Sequence, residues 1–184
     1  MPSTGHSLCA KLVLLCLLCA PGPARGAASD DSDAPVSIQR YLVNLYLGDT
    51  LEDIQRTYPP AQEWPVSVVG KAKVKRYRVD RAYTKYPAPH VETMWLGLRH
   101  GQLVDIQLIY SAAYSRSTPV NKLVEDLSLT YGPPSSNGSK FWWTNGGVVL
   151  RVYNAEVPTL RDGGAVVELR TSLQLMQANI FSKD

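Results

Sequence analysis

Two similar segments, LEDIQRTYPP at residues 51–60 and VEDLSLTYGPP at residues 124–134, mark the organisation of this chain. Each contains an acidic pair flanked by apolar residues. Each closes on a Thr-Tyr pair that is followed by two prolines, directly in the first segment and after one glycine in the second. Because proline cannot continue a helix, each segment is typical of the end of an amphipathic helix. A string of this kind that occurs twice indicates two copies of one supersecondary unit, and it contains no catalytic motif.

The sequence before each segment predicts how its helix begins. Thr50 can act as the N-cap of the first helix with Asp53 at the third helical position, an acidic variant of the capping box. Residues 117–119 (Ser-Thr-Pro) supply a cap and a first-turn proline for the second helix. Apolar residues at helical spacing define the face that each helix buries: Leu51, Ile54 and Tyr58 in the first, and Val120, Leu123, Val124, Leu127 and Tyr131 in the second.

Strand patterns follow each predicted helix. Residues 92–98 and 103–110 alternate around a short turn, and Asp105 and Gln107 fall on the side opposite the apolar residues. This sheet should therefore have one solvated face. An Asn-Gly pair at residues 145–146 predicts a second hairpin.

Residues 71–83 also alternate, but their apolar positions change face at Lys75 and Arg76. Since a change of phase moves side chains to the other side of a strand, we expect a bulge or a change of strand at this point.

These elements predict an α+β fold of two tandem helix-plus-antiparallel-sheet units, which form one sheet-based domain with helices on one face. The expected segments are a signal peptide at 1–28, an acidic disordered tether at 29–35, a first unit at 36–110, a second unit at 111–176 and a flexible tail at 177–184.

The first 28 residues have the features of a secretory leader. Lys11 precedes a short apolar run at residues 12–20, prolines then break the run, and small residues follow, so cleavage is expected after Gly26 or Ala28. The run is too short to span a bilayer comfortably, although a membrane anchor is the alternative. We therefore expect an exported protein, periplasmic or secreted, with no transmembrane span in the mature chain.

The positions of the cysteines and the net charge further limit the expected class of protein. All three cysteines, Cys9, Cys16 and Cys19, lie in the leader, so the mature chain should have no disulfide. Large residues precede Cys16 and Cys19, and lipid anchoring is therefore not expected. Loss of the leader lowers the formal charge from +3 to about +1, which does not indicate a nucleic-acid partner.

The mature sequence offers little for catalysis. His90 lies in a proline-rich loop and His100 in a tight turn, and neither pairs by spacing with a second type of ligand. The acidic pairs of the two repeats sit where helix capping or solvation explains them. We therefore expect no catalytic residues, no metal site and no cofactor, and a protein that is not an enzyme.

One segment carries a dense positive charge. Its basic residues, with an interleaved tyrosine, are Lys71, Lys73, Lys75, Arg76, Tyr77 and Arg78. They could bind an anionic glycan, a lipid headgroup or an acidic partner. The alternative is that the lysines protect an exposed edge strand against unwanted pairing.

Trp142 and Trp143 form a second candidate binding site. If they lie in a strand, one ring must point away from the core, where it could bind a sugar or a protein. Packing beneath a hairpin is the alternative.

The segment at residues 48–54 (Gly-Asp-Thr-Leu-Glu-Asp-Ile) and the stop at residues 130–133 (Thr-Tyr-Gly-Pro) resemble the BamE/SmpA outer-membrane assembly lipoproteins. In tandem the two units are also similar to the beta-lactamase inhibitor protein family, and the resemblance covers residues 36–171 in organisation. It implies an envelope or secreted module whose sheet face contacts another protein. The lack of a suitable lipidation cysteine departs from the lipoproteins, and no binding residue can be carried over.

The expected function is thus that of an exported, non-enzymatic module that binds an envelope or secreted protein. The alternative is a periplasmic or extracellular binder of carbohydrate or anionic polymer through the basic, tyrosine-containing strand.

Overall fold

The computed structural model describes residues 36–69, 73–161 and 164–181. The predicted leader, the predicted tether and Lys71 lie outside the described residues.

The described residues form ten strands and three α-helices. In order, they are β1 (Tyr41–Leu42), β2 (Leu45–Tyr46), α1 (Leu51–Thr57), β3 (Val66–Val69), β4 (Val74–Asp80), β5 (Val91–Arg99), β6 (Gln102–Tyr110), α2 (Ala112–Ser117), α3 (Val120–Tyr131), β7 (Ser135–Asn137), β8 (Lys140–Asn145), β9 (Val148–Arg161) and β10 (Gly164–Gln177). Short 3-10 turns occupy Arg81–Tyr83 and Ala178–Ile180.

The predicted arrangement of two tandem helix-plus-sheet units is wrong. Eight strands form one continuous antiparallel sheet in the order β3-β4-β5-β6-β10-β9-β8-β7, and β1 and β2 form a separate ribbon. Strands hold 51% of the described residues and helices 22%, so the sheet dominates the fold. The sheet has no break at the expected boundary after Tyr110, because β6 pairs directly with β10. The repeated helix ends do not encode that long-range pairing.

The main hydrophobic core lies between the sheet and helices α1 and α3. Ile54 of α1 and Leu123 of α3 belong to the same buried cluster as Leu96 and Ile106 in the centre of the sheet. At the end of α3, the indole N–H of Trp143 donates a hydrogen bond of 2.7 Å to the carbonyl of Gly132. Residues from both halves of the chain therefore form one core.

Several local predictions are confirmed. Thr50 caps α1 and forms a capping box with Asp53. The hairpin of β5 and β6 turns at His100 and Gly101, whose φ angles of 52° and 80° give the left-handed backbone that a two-residue turn requires. Local signals determine these features, and long-range pairing does not change them.

Other local predictions are wrong. The N-cap of α3 is Pro119, with no side-chain hydrogen bond, so residues 117–118 do not cap this helix. They belong instead to the end of α2 and its C-cap. Ser111 caps the start of α2, and no pattern in the sequence predicts this helix.

The break expected at Lys75 and Arg76 is also absent from β4, which pairs in continuous register with β5 from Lys75 to Asp80. Val74 and Val79 point to opposite faces, yet both are buried. Since β4 buries a valine on each of its faces, the change in apolar phase does not indicate a bulge.

The expected tail begins at Gln177, which is the last residue of β10. The 3-10 turn that follows leads to Phe181, which packs against Trp142 with ring centroids 5.9 Å apart. None of the helices in the described part of the chain is long and apolar enough to cross a membrane.

The position of the core predicts a sharp contrast between two leucines. Leu96 is fully buried in β5, whereas Leu129 on α3 is 89% exposed. Leu96→Ala should lower the free energy of unfolding by about 2–5 kcal/mol, because it leaves a cavity in the sheet. Leu129→Ala should change it by less than about 0.5 kcal/mol. Urea unfolding followed by circular dichroism measures both, and equal effects would contradict this position of the core.

Candidate functional site

The sheet face opposite α1 and α3 carries a set of polar and aromatic side chains, and we call it the open face. Its residues are Arg76 and Arg78 of β4, Trp95 and Gly97 of β5, Asp105 and Gln107 of β6, Ser172 and Gln174 of β10, and Arg151 and Tyr153 of β9. Residues directly opposite each other in an antiparallel sheet share a face, so the strand register alone brings these side chains together.

Gly97 of β5 allows a side chain of β4 to contact a side chain of β6 across the strand between them. Arg76, Gly97 and Asp105 lie directly opposite one another on the three strands. A Cβ atom on Gly97 would lie 2.9 Å from the Cβ of Asp105 and 3.0 Å from a methyl carbon of Val74. Because glycine leaves this space open, the Nη2 of Arg76 comes within 3.6 Å of the Oδ2 of Asp105.

Asp105 is held from the other side by β10 and β9. The amide nitrogen of Gln174 donates a hydrogen bond of 2.6 Å to its Oδ1. The amide oxygen of Gln174 in turn accepts hydrogen bonds from Arg151 at 2.7 Å and from the hydroxyl of Tyr153 at 3.3 Å. Gln174 thus links the buried carboxylate to an arginine and a tyrosine on β9.

A second branch runs from Arg76 along the centre of the sheet. Its guanidinium donates a hydrogen bond of 2.8 Å to the amide oxygen of Gln107. The amide nitrogen of Gln107 donates one of 3.4 Å to the hydroxyl of Ser172 on β10. Four strands are therefore connected by side chains as well as by their backbones.

Burial dominates the electrostatics of Asp105, which is 7% exposed. Desolvation raises the pKa of its carboxyl above the ordinary value, while the charge of Arg76, the hydrogen bond from Gln174 and the charge of Arg151 oppose that rise. The carboxylate is a fixed part of the network, and its oxygens already have partners.

Two arginines of β4 lie against one aromatic ring. The guanidinium carbon of Arg76 is 5.1 Å from the ring centroid of Trp95, and that of Arg78 is 5.8 Å away. Arg78 also donates to Asp80 at 2.9 Å, and Asp80 accepts a hydrogen bond of 2.7 Å from Thr93. These contacts hold both guanidinium groups in defined positions above the sheet.

The residues of the predicted basic site lie on different surfaces of the protein. Arg76 and Arg78 share the open face, but Lys75 is exposed on the other face, where Tyr77 packs against the core. Lys73 lies in a turn with a φ of 50°. Because β4 is paired with both β3 and β5, its one lysine, Lys75, does not protect a sheet edge.

The two tryptophans point to opposite faces, as expected for neighbours in a strand, and both are buried. Trp143 belongs to the main core, whereas Trp142 packs with Val149 and Met176 at one end of the open face, beneath Phe181. Neither ring is an exposed platform.

The basic segment identifies Arg76 and Arg78, but it does not identify the residues that complete the face. Alternation in β6 did place Asp105 and Gln107 on the polar side, which was the available signal. Nothing local could join them to Gln174 or Arg151, because that contact depends on the pairing of β6 with β10.

Within the described ranges, no group of three or more His, Cys, Asp and Glu residues could hold a metal ion. Comparison of the chain with protein-family models, curated proteins and solved structures gives no match. The resemblance to the BamE/SmpA lipoproteins and the beta-lactamase inhibitor proteins stays a prediction from short motifs. The geometry of the open face therefore carries the functional argument.

Gly97→Ala tests whether glycine is required for the crossing of β5. Overpacking against Asp105 and Val74 should lower the free energy of unfolding by about 1–3 kcal/mol, measured by urea unfolding. In a Gly97→Ala/Val74→Ala double variant, one of the two close contacts is relieved, so the total loss should be smaller than the sum of the single losses. Strictly additive losses would show that the contact with Val74 is unimportant.

The contributions of Asp105 and Asp53 to the free energy of unfolding should change with pH in opposite directions. The pKa of Asp105 is raised in the folded chain. Between the unfolded and the folded pKa, folded chains keep a proton that unfolded chains release. The contribution of Asp105 to stability therefore falls as pH rises through that range. Hydrogen bonds from Thr50, together with Arg56, lower the pKa of Asp53, so its contribution is lost as pH falls.

The measurement is urea unfolding of the wild type, Asp105→Asn and Asp53→Asn from about pH 3 to about pH 8. The stability of the wild type relative to Asp105→Asn should fall with rising pH, and that relative to Asp53→Asn should rise. Slopes of the same sign would contradict the assigned pKa directions.

Proposed function

We propose that this chain is an exported, non-enzymatic module that binds another envelope or secreted protein through the open face of its sheet. The observation that carries the proposal is the network of arginine, aromatic and amide side chains that spans β4 to β9 on that face.

Preorganisation is the first argument. Arg76, Gln107 and Gln174 are fixed by hydrogen bonds within the face, and Arg78 is held by Asp80 and Trp95. Ordering a free side chain at an interface costs about 0.5–1.5 kcal/mol, so a face whose side chains are already held loses less on binding.

The chemistry of the side chains is the second argument. Arginine and aromatic residues contribute most of the binding energy in many protein interfaces. The partly exposed members of the open face belong to these types: Arg78, Trp95, Arg151, Tyr153 and, at its end, Phe181. Their apolar surfaces can be covered by a partner while their polar groups keep hydrogen bonds.

A protein partner is favoured over a carbohydrate or an anionic polymer. The predicted basic residues do not form one polyanion site, because Lys75 lies on the face opposite Arg76 and Arg78. The arginines of the open face are already engaged: Arg76 with Asp105 and Gln107, Arg78 with Asp80, and Arg151 with Gln174. The Trp95 ring has two guanidinium groups beside it, so it is not a free stacking surface for a sugar.

Photo-crosslinking from chosen positions tests the proposal. The mature chain, from Ser29 onward, carries a photoreactive amino acid at position 78 or 153 on the open face, or at position 129 on α3, in its native envelope or culture fluid. We expect one discrete protein adduct from positions 78 and 153 and none from position 129.

Adducts from position 129 alone would place the interface on the helices and contradict the proposal. Retention on heparin that is lost in a Lys73→Ser/Lys75→Ser/Arg78→Ser variant, with no protein adduct, would favour the anionic-polymer alternative instead.

A further inference from the structure

The paired strands β9 and β10 extend beyond the rest of the sheet, and we call residues 154–161 and 164–170 the arm. β8 pairs with β9 only as far as Val152, and β6 pairs with β10 only from Ser172 onward. β9 and β10 nevertheless remain paired with each other as far as Arg161 and Gly164. Both outer edges of the arm therefore lie beyond the strands that flank it elsewhere.

The two edges of the arm differ in their ability to accept another strand. The N–H of Thr171 points away from β9, since it donates a hydrogen bond of 3.1 Å to the hydroxyl of Ser115 on α2. Backbone groups alternate in direction along a strand, so those of Val167 and Leu169 also face away from β9. No hydrogen-bond acceptor for these two N–H groups occurs among the described residues.

The opposite edge is protected by proline. Pro158 pairs with Val167, and at that position the N–H that proline lacks would face the outer edge of β9. A proline at an edge hinders the addition of a strand. The free edge of β10 has neither proline nor lysine, with the sequence Gly-Ala-Val-Val-Glu-Leu-Arg at residues 164–170.

A groove lies beside the free edge of β10. A cavity of about 250 Å³ separates this edge at Leu169 from Ser115 and Arg116 of α2. A larger cavity, of about 870 Å³, lies between the arm at Val157 and Arg170 and the ends of β4 and β5. There is thus space for an extended segment along the edge.

Positive charge exceeds negative charge in the larger cavity. Four arginines line it, namely Arg78, Arg81, Arg116 and Arg170, against the carboxylates of Asp80 and Glu92. Arg78 is paired with Asp80 and Arg170 with Glu168. Arg81 and Arg116 are exposed and form no ion pair with a described residue. The groove formed by the two cavities therefore favours an acidic occupant.

The two faces of the arm specify which side chains an added strand needs. Arg170 lies on the face continuous with the open face. Val167 and Leu169 lie on the other face and are 63% and 62% exposed. A strand with acidic residues on one side and apolar residues on the other complements both faces at once.

We propose that the free edge of β10 accepts an extended segment of the partner protein as an added strand, in which acidic residues alternate with apolar residues. This inference rests on the proposed function, since it identifies the part of the partner that is bound. Strand addition would give affinity through the backbone of Val167 and Leu169, and the arginines of the groove would select the acidic side chains.

The probe for the test is a short blocked peptide of alternating valine and glutamate, with a valine-lysine peptide as its control. We expect the glutamate peptide to bind the mature chain and to slow amide hydrogen exchange at Val167 and Leu169. Arg116→Glu should weaken its binding by about tenfold, because a charge is reversed beside the peptide. Lys122→Glu, the same charge change on α3, should leave binding unchanged.

A pair of proline variants tests the backbone contact. Leu169→Pro removes an N–H from the free edge of β10 and should abolish binding of the glutamate peptide. Leu160→Pro makes the same change at the opposite edge of the arm, where Leu160 is 85% exposed, and should leave binding intact. Circular dichroism verifies that both variants fold, and hydrogen exchange in the unmodified chain reports on the edge independently of any variant.

Any one of four results would overturn the inference. The first is equal binding of the lysine peptide. The second is binding of the glutamate peptide that Leu169→Pro leaves intact and Trp95→Ala removes. The third is a concentration-dependent dimer that Leu169→Pro dissociates, since the occupant would then be a second copy of the chain. Crosslinking from positions 78 and 153 without peptide binding would also reject the added strand and leave the proposed function standing, whereas loss of both results would reject both.

Discussion

The pairing of β6 with β10 is the constraint on which the rest of the structure depends. Asp105 to Ile109 pair with Met176 to Ser172, and this short ladder joins strands from the two halves of the chain. It places Leu175 beside Ile106 on the core face and Gln174 beside Gln107 on the open face. A slip of one residue would exchange the two faces, sending Gln174 into the core, so burial on both sides fixes the register.

The same pairing explains how the sheet can bury charged groups. Removing Asp105 and Arg76 from water is costly, and their mutual attraction offsets that cost only if the remaining polar atoms have partners. Gln174 and Gln107 provide those partners from directly opposed positions. The Nε atoms of Arg76 and Arg151 remain buried without an acceptor among the described residues, so the network is held mainly by its outer nitrogens.

How far the sequence predicts this structure depends on the range of each interaction. The cap at Thr50, the turn at His100 and the polar alternation of β6 involve neighbours in the chain, and they could be predicted. The continuous sheet could not, because residues near 105 and 175 meet only in the folded state. The same reason explains the candidate site: Arg76 was visible as part of a basic segment, but its partner on β6 was not. The expected break in β4 is absent because this strand buries a valine on each of its faces, Val74 on one and Val79 on the other.

Stability and binding place different demands on the two ends of β9 and β10. Near Val149 and Leu175 these strands lie in the middle of the sheet, where side chains on both faces are buried and few substitutions fit. In the arm, Leu160, Val167 and Leu169 are exposed, so the fold tolerates changes there. Exposed apolar residues beside an open strand edge increase the risk of aggregation, and Pro158 removes that risk on one edge only. An edge left open and lined by arginines is consistent with selection for a partner, because stability alone would favour closing both edges.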